Sequence, residues 1–202
     1  MRIGFIGASA VAQTIARHAL AAGHEVLLSN RRGPETLALV VGELGPGAQA
    51  GTPQEAAQQD LVVLAVNWSS VQAALFSVPS WAGRILVDAT NRIASYTPLS
   101  IGDISGRTSS EMVADLAPGA RVVKAFNSVP MAWIADTSPL KPRTVLFISG
   151  DDAQAKRPVN ELIEQMGFAC VDLGSLATGG RLQQLGGPLA GIRLIFQERF
   201  AL

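Results

Sequence analysis

The chain opens on an apolar run, Arg2-Ile3-Gly4-Phe5-Ile6, that passes through Gly7-Ala8-Ser9-Ala10-Val11-Ala12 directly into a stretch of small and apolar residues at helical spacing. A short buried strand, a turn of small residues and a helix, in that order, leave few folds open to the rest of the chain. Ala12, Ile15, Ala16, Ala19 and Leu20 form one face of a helix over residues 11–22, and Gly23 ends it. The turn lines up with the pattern G-x-G-x-x-G/A, in which backbone amides at a helix N-terminus receive a diphosphate. Gly7 serves the tight turn, and Ala12 is small enough for close packing of helix on strand. Ser9 stands where a second glycine normally admits the diphosphate. A serine there still leaves the helix N-terminus open to an anion, and its hydroxyl can donate a further hydrogen bond.

The same alternation continues along the chain. Strands are expected over residues 2–6, 25–29, 61–66, 84–88, 121–125, 144–149 and 169–173, and helical segments over 34–44, 69–76, 109–116 and 153–166. Ser109 and Ser110 are candidate caps for the third of these helices, with Glu111 at its positive end. The strand runs are continuously apolar rather than alternating, as expected of a parallel sheet covered on both faces. The fold class is therefore α/β, a Rossmann-like, doubly wound, mostly parallel sheet in a single domain over residues 1–202. Residues 151–202 are expected to form a small C-terminal βα extension that closes the active-site cleft.

The end of the second strand bears on the cofactor. A site for NAD needs a carboxylate there to accept from the ribose 2′-hydroxyl, and this chain has Ser29-Asn30-Arg31-Arg32 instead. Two guanidinium forks beside a hydroxyl and an amide suit a 2′-phosphate, so NADP(H) is expected. Sixteen basic residues balance sixteen acidic ones, which leaves no electrostatic footprint for nucleic acid. The longest apolar runs are strand-sized, no signal peptide is evident, and a soluble, cytoplasmic protein without a membrane part is expected. Cys170 is the sole cysteine, and His18 and His24 read as surface or boundary residues, so no metal site is expected.

Gly7-Ala8-Ser9, Ser29-Asn30-Arg31-Arg32-Gly33-Pro34-Glu35, Val87-Asp88-Ala89-Thr90-Asn91 and Val122-Val123-Lys124-Ala125-Phe126-Asn127 together resemble the NADP oxidoreductases that depend on the deazaflavin coenzyme F-420. Gly179-Gly180-Arg181-Leu182-Gln183-Gln184 and Gly186-Gly187-Pro188-Leu189-Ala190 look like that family's C-terminal stretch. A related domain occurs in the membrane metalloreductases of the six-transmembrane epithelial antigen family. The resemblance implies a nicotinamide beside Ala65-Val66-Asn67-Trp68, with Thr90 and Asn91 also on the cofactor. It implies a second ring near Asn127-Ser128-Val129-Pro130 and Pro188. Asn67 stands where such relatives usually have proline, and it reads equally as a helix cap. Trp68, Met131 and Trp133 are candidate walls for an apolar ring pocket, or plain core.

No Ser/His/Asp constellation is evident, and Tyr96, the sole tyrosine, has no lysine at dehydrogenase spacing. Catalytic side chains are therefore not assigned. Asp88 and Lys124 are ionisable groups near strand ends, for which solvated or salt-bridged structural roles weigh more than catalysis. The leading expectation is hydride transfer between NADP(H) and a small-molecule ring acceptor, a deazaflavin such as coenzyme F-420 or a flavin. The alternatives are a catalytically silent NADPH sensor or interaction module, and an imine reductase akin to pyrroline-5-carboxylate reductase. The latter usually carries a long helical domain, for which little chain remains after Gly150. A homodimer through the apolar residues 192–200 is a further expectation.

Overall fold

The computed structural model describes residues 1–103, 106–137 and 142–197. Its first half is built on β1 (Arg2–Ile6), α1 (Ala10–Ala21), β2 (Glu25–Ser29), α2 (Ala38–Leu44), β3 (Ala48–Gly51), α3 (Pro53–Ala56), β4 (Leu61–Leu64), α4 (Val71–Phe76) and β5 (Ile85–Asp88). Next come the hairpin β6 (Ile93–Tyr96) and β7 (Leu99–Ile101), α5 (Ser109–Leu116), β8 (Arg121–Lys124) and β9 (Arg143–Gly150). The chain then adds α6 (Ala153–Gln165), β10 (Ala169–Asp172), α7 (Gly179–Gln183) and β11 (Ile195–Phe196).

Every residue of β4 and β5 is buried, as continuous apolar runs require when helices cover both faces of a sheet. Alternate residues serve the two sides. Ile3, Phe5, Val63 and Val87 pack against Ile15 and Ala19 of α1 and Leu162 of α6, whereas Ile6, Val62, Leu64 and Leu86 pack against Leu75 of α4 and Val113 of α5. α3 sits so close to β1 that a side chain at Gly4 would collide with the carbonyl oxygen of Ala56.

The strands lie in the order β10-β9-β8-β5-β4-β1-β2-β3. Those from β3 through β8 are mutually parallel, β9 runs antiparallel to β8, and β10 is parallel to β9. The chain winds from β1 outward through β2 to β3 and then returns to place β4 on the other side of β1. That reversal opens a crevice beyond the carboxyl ends of β1 and β4, where ligands of doubly wound sheets bind. The mostly parallel α/β sheet agrees with the expectation.

Several local expectations require correction. The segment 34–44 is not one helix: Pro34–Leu37 forms a single 3-10 turn before α2, which buries none of its residues. The strand expected over 61–66 stops at Leu64 and frees Ala65 and Val66 for the loop above it. α5 is capped by Thr108, whose hydroxyl accepts from Glu111 N while its own N–H donates to Glu111 Oε2; Ser109 and Ser110 are buried instead. His18 is a buried residue, not a boundary one, and Asp88 and Lys124 are wholly enclosed. Within the segment 192–200, Ile192, Leu194 and Ile195 are exposed, and residues 198–200 lie outside the described residues. Among the described residues no helix is long and apolar enough to cross a membrane, and no cluster of potential metal ligands occurs.

Candidate functional site

The turn after β1 is set by Gly7, whose φ of +111° few other residues adopt and whose N–H donates to Ser29 O at 3.0 Å. A Cβ there would collide with Ala65 O, so the β1 and β4 loops touch at backbone distance. Ser9 caps α1: its Oγ accepts from Ala12 N at 3.4 Å and donates to Ala65 O at 2.9 Å. The hydroxyl expected to face a phosphate is thus engaged within the fold. The first helical hydrogen bond runs from Gln13 N to Ser9 O, so the amides of Ala10 and Val11 precede the ladder and have no acceptor within the helix. No acidic residue stands in the first turn to compete with an anion.

At the end of β2, Ser29 is fully buried and its Oγ donates to Phe5 O at 2.7 Å. Asn30 Oδ1 accepts from Arg32 N at 2.7 Å, and Asn30 Nδ2 donates to Thr36 Oγ1 at 2.9 Å. Both side chains, expected as ligand donors, are spent on shaping the loop. Arg31 and Arg32 are exposed and form no ion pair among the described residues. The exposed positive charge of the loop therefore rests with these two.

Beyond β4, Asn67 caps a 3-10 turn (Trp68–Ser70) with its backbone only, while its Oδ1 accepts from Tyr96 Oη at 3.2 Å. Trp68 lies under the guanidinium of Arg92, 5.8 Å from the ring centroid, and is thereby tied to the hairpin side of the loop. A cavity of about 270 Å³ opens between the first turn of α1, the ends of β5 and β8, and the C-terminal loop. Val11, Ala89, Val129, Met131 and Leu185 supply apolar wall, and Asn91, Asn127 and Ser128 supply polar wall. Of the residues expected around a ring, Asn127, Ser128, Val129, Pro130 and Met131 line it. Trp68, Trp133 and Pro188 do not, and the last two are exposed. Phe126, with a φ of +61°, Leu185 and Gly191 also border it; Leu185 and Gly191 carried no signal in the sequence.

The polar wall is braced from behind. Asn91 Nδ2 donates to Asn127 O, Asn127 Nδ2 donates to Asn91 Oδ1 and to Gln183 O, and Leu185 N–H donates to Asn91 Oδ1. Thr90, expected on the cofactor, is buried, with both its N–H and its hydroxyl given to Asp88 Oδ1. Asn127 Oδ1 and Ser128 Oγ in the wall, and Gln183 Oε1 behind it, are buried without a hydrogen-bond partner among the described residues, so polar capacity is left unused there.

Residues 2–92 match the family described as "NADP oxidoreductase coenzyme F420-dependent". The chain is 29% identical over 186 residues to the metalloreductase STEAP3 of Rattus norvegicus, covering 91% of this chain and 36% of that protein. It thus spans about a third of that curated relative. A hypothetical protein from Sinorhizobium meliloti of known structure is 40% identical and superimposes with a TM-score of 0.90, over 98% of this chain and 97% of that one. A proposed F420-dependent NADP-reductase from Arthrobacter sp. FB24 is 28% identical with a TM-score of 0.76, over 87% and 86% of the two chains.

Proposed function

We propose that this chain, whose residues 2–92 match the model of the NADP oxidoreductases described as dependent on coenzyme F420, transfers a hydride between NADP(H) and a planar ring acceptor, a deazaflavin of the F-420 class or a flavin, seated in the cavity beside α1. The residues present suit the dinucleotide. The amides of Ala10 and Val11 are free for a diphosphate, and the glycine cradle at residue 7 has no room for a side chain. Arg31 and Arg32 offer two donor forks that form no ion pair among the described residues. Ala65 and Val66 border the same turn and would flank the nicotinamide.

The observation that carries the acceptor class is the chemistry of the cavity wall. Among the described residues its lining includes no carboxylate, ammonium, guanidinium, imidazole, thiol or phenol. A carbonyl or imine reductase needs a positioned acid for the heteroatom of its substrate. A ring acceptor does not, because its own nitrogen exchanges a proton with water. Bound NADPH supplies the hydride, and the chain supplies position and dryness. Val11, Ala89 and Met131 cover ring faces, and Asn91 and Asn127 hold the far wall in register.

The test has two parts. NADPH and NADH are titrated against the wild type and against a variant carrying Arg31→Ala and Arg32→Ala. The preference for NADPH is expected to fall by at least about tenfold, equivalent to ~1.4 kcal/mol. No NADPH binding, or an unchanged preference, overturns the cofactor assignment. NADPH oxidation is then followed with coenzyme F-420, FMN and lumiflavin. Tight binding with no turnover on any of them overturns the acceptor assignment and identifies an NADPH-loaded interaction module instead.

A further inference from the structure

Asp88 and Lys124 are register partners on adjacent parallel strands, both with 0% side-chain exposure and 3.2 Å apart. Backbone pairing already joins β5 to β8, and a buried ion pair is a poor way to add cohesion: an apolar pair of similar volume often does as well or better. What an ion pair adds is direction. The ammonium of Lys124 donates to Asp88 Oδ2 at 3.2 Å, to Thr90 O at 3.1 Å and to Ser109 Oγ at 3.3 Å, which engages all its protons. Asp88 accepts from Thr90 N, Thr90 Oγ1 and Ser110 Oγ as well. None of the groups so held belongs to a strand. They form the turn after β5 and the first turn of α5.

Both of those turns lead to one short segment, residues 183–185. Asn91, next to Thr90, accepts from Leu185 N at 3.1 Å. Gln184 Oε1 accepts from Ser109 N at 3.1 Å. Gln183 Nε2 donates to the carbonyl of Lys124 itself at 3.1 Å. Gln183 and Gln184 are thus each fixed to a residue that belongs to the ion pair or is held by it, and Leu185, which is cavity wall, is fixed to Asn91, the residue that follows the Thr90 held by Asp88 and Lys124.

We infer that Asp88 and Lys124 are positioning residues, which set the register of the 183–185 segment against the strand ends and so shape the acceptor side of the cavity. They touch no reacting atom. Their role concerns the acceptor side more than the diphosphate and 2′-phosphate sites, because among the described residues the α1 turn and the Arg31-Arg32 loop make no hydrogen bond to this network. The effect on turnover rests on the function proposed above, whereas the effect on the segment does not.

The decisive variant combines Asp88→Leu with Lys124→Met, which removes direction but keeps volume. Amide hydrogen exchange at Leu185 is compared with exchange at Val63 and Leu86, together with NADPH affinity and the KM for the ring acceptor. Exchange at Leu185 is expected to accelerate at least about tenfold relative to the two strand amides. KM is expected to rise by a similar factor, with kcat less affected and NADPH affinity within about twofold of wild type. Wild-type exchange at Leu185, or faster exchange with an unchanged KM, overturns the inference. Should the double variant fail to fold, Ser109→Ala removes one ammonium acceptor alone, and the same comparison applies with a smaller expected acceleration; none at all overturns it. If the wild type turns over no ring acceptor while Leu185 responds as expected, the acceptor assignment falls and the positioning role stands.

Discussion

Asn91 and Asn127 exchange side-chain hydrogen bonds across the ends of β5 and β8, Asn91 Nδ2 to Asn127 O at 2.9 Å and Asn127 Nδ2 to Asn91 Oδ1 at 3.1 Å. The clasp bridges the gap left where the two strands cease to pair. Asn91→Ala strands the amide of Leu185 and one proton of Asn127 without acceptors. A loss of about 2 kcal/mol is expected, since unsatisfied buried donors cost roughly 1–3 kcal/mol each and water recovers part. Urea unfolding should show a lower midpoint at unchanged slope. Asn127→Ala should be partly non-additive with it, because both remove the bond from Asn127 Nδ2 to Asn91 Oδ1, whereas the main-chain oxygen of residue 127 that accepts from Asn91 Nδ2 survives Asn127→Ala. Additive losses would show that the two amides act separately.

Ser9 sets two demands against each other. As a cap and as a donor to Ala65 O it ties α1 to the β4 loop, yet its side chain occupies the place where a glycine lets the diphosphate approach. Ser9→Gly is expected to cost about 1 kcal/mol: a few tenths for the cap, the rest for the lost bond. NADPH affinity should be equal to or better than wild type. A Kd weakened by about tenfold or more would mean that the hydroxyl leaves Ala65 O to meet the diphosphate.

Cys170 is a structural thiol. Burial, then the neighbouring charges of Glu164 and Asp172, push its pKa up to about 12 from an ordinary 9.0. Three units correspond to about a thousandfold less thiolate at pH 8, so Ellman's reagent should react on the order of a thousandfold more slowly with the native protein than with the unfolded chain. The unfolded thiol ionises first on the alkaline side. Its contribution to stability is therefore intact below pH 9 and is lost as pH rises toward 12. Comparable rates in the two states would refute the burial argument.

The β1-α1-β2 unit is legible in the sequence because three independent signals coincide there: an apolar run, a small-residue turn and a helical stripe from Ala12 to Ala19. The cationic loop is legible for the same reason, since Arg31 and Arg32 come after a strand of known role. The pairing that builds the cavity is not. Asn91 and Leu185 stand far apart in the chain and meet only because the sheet places β5 beside β8 and α7 returns across their ends. β3 carries no strand signal because Ala48-Gln49-Ala50-Gly51 has no β-branched residue, and an edge position demands none. Aromatic character alone points Trp68 and Trp133 toward the cavity, whereas Arg92 draws the first under the hairpin and the second lies at the surface.

His18 joins the cavity wall to α1 and should make the fold sensitive to acid. It lies on α1 with 3% exposure; its Nε2 donates to Ile134 O at 2.5 Å, and its ring stands edge-on to Phe168 at 4.8 Å. Ile134 closes the 3-10 turn that begins at Met131, so this bond fixes one side of the cavity to α1. Burial lowers the His18 pKa below its ordinary 6.5, against smaller raising effects from the bond to Ile134 and the charge of Asp136. The pKa of His24 is lowered too, by burial and then by the N-terminal ammonium. As pH falls through 6.5 the unfolded chain takes up protons that the folded imidazoles resist, so stability present above that pH is progressively lost below it. Urea midpoints between about pH 7.5 and 5 should therefore decline in the wild type, and His18→Gln, which keeps a donor but cannot titrate, should flatten the decline, leaving only the share of His24. A slope unchanged by His18→Gln would show that the buried imidazole is not what the acid attacks.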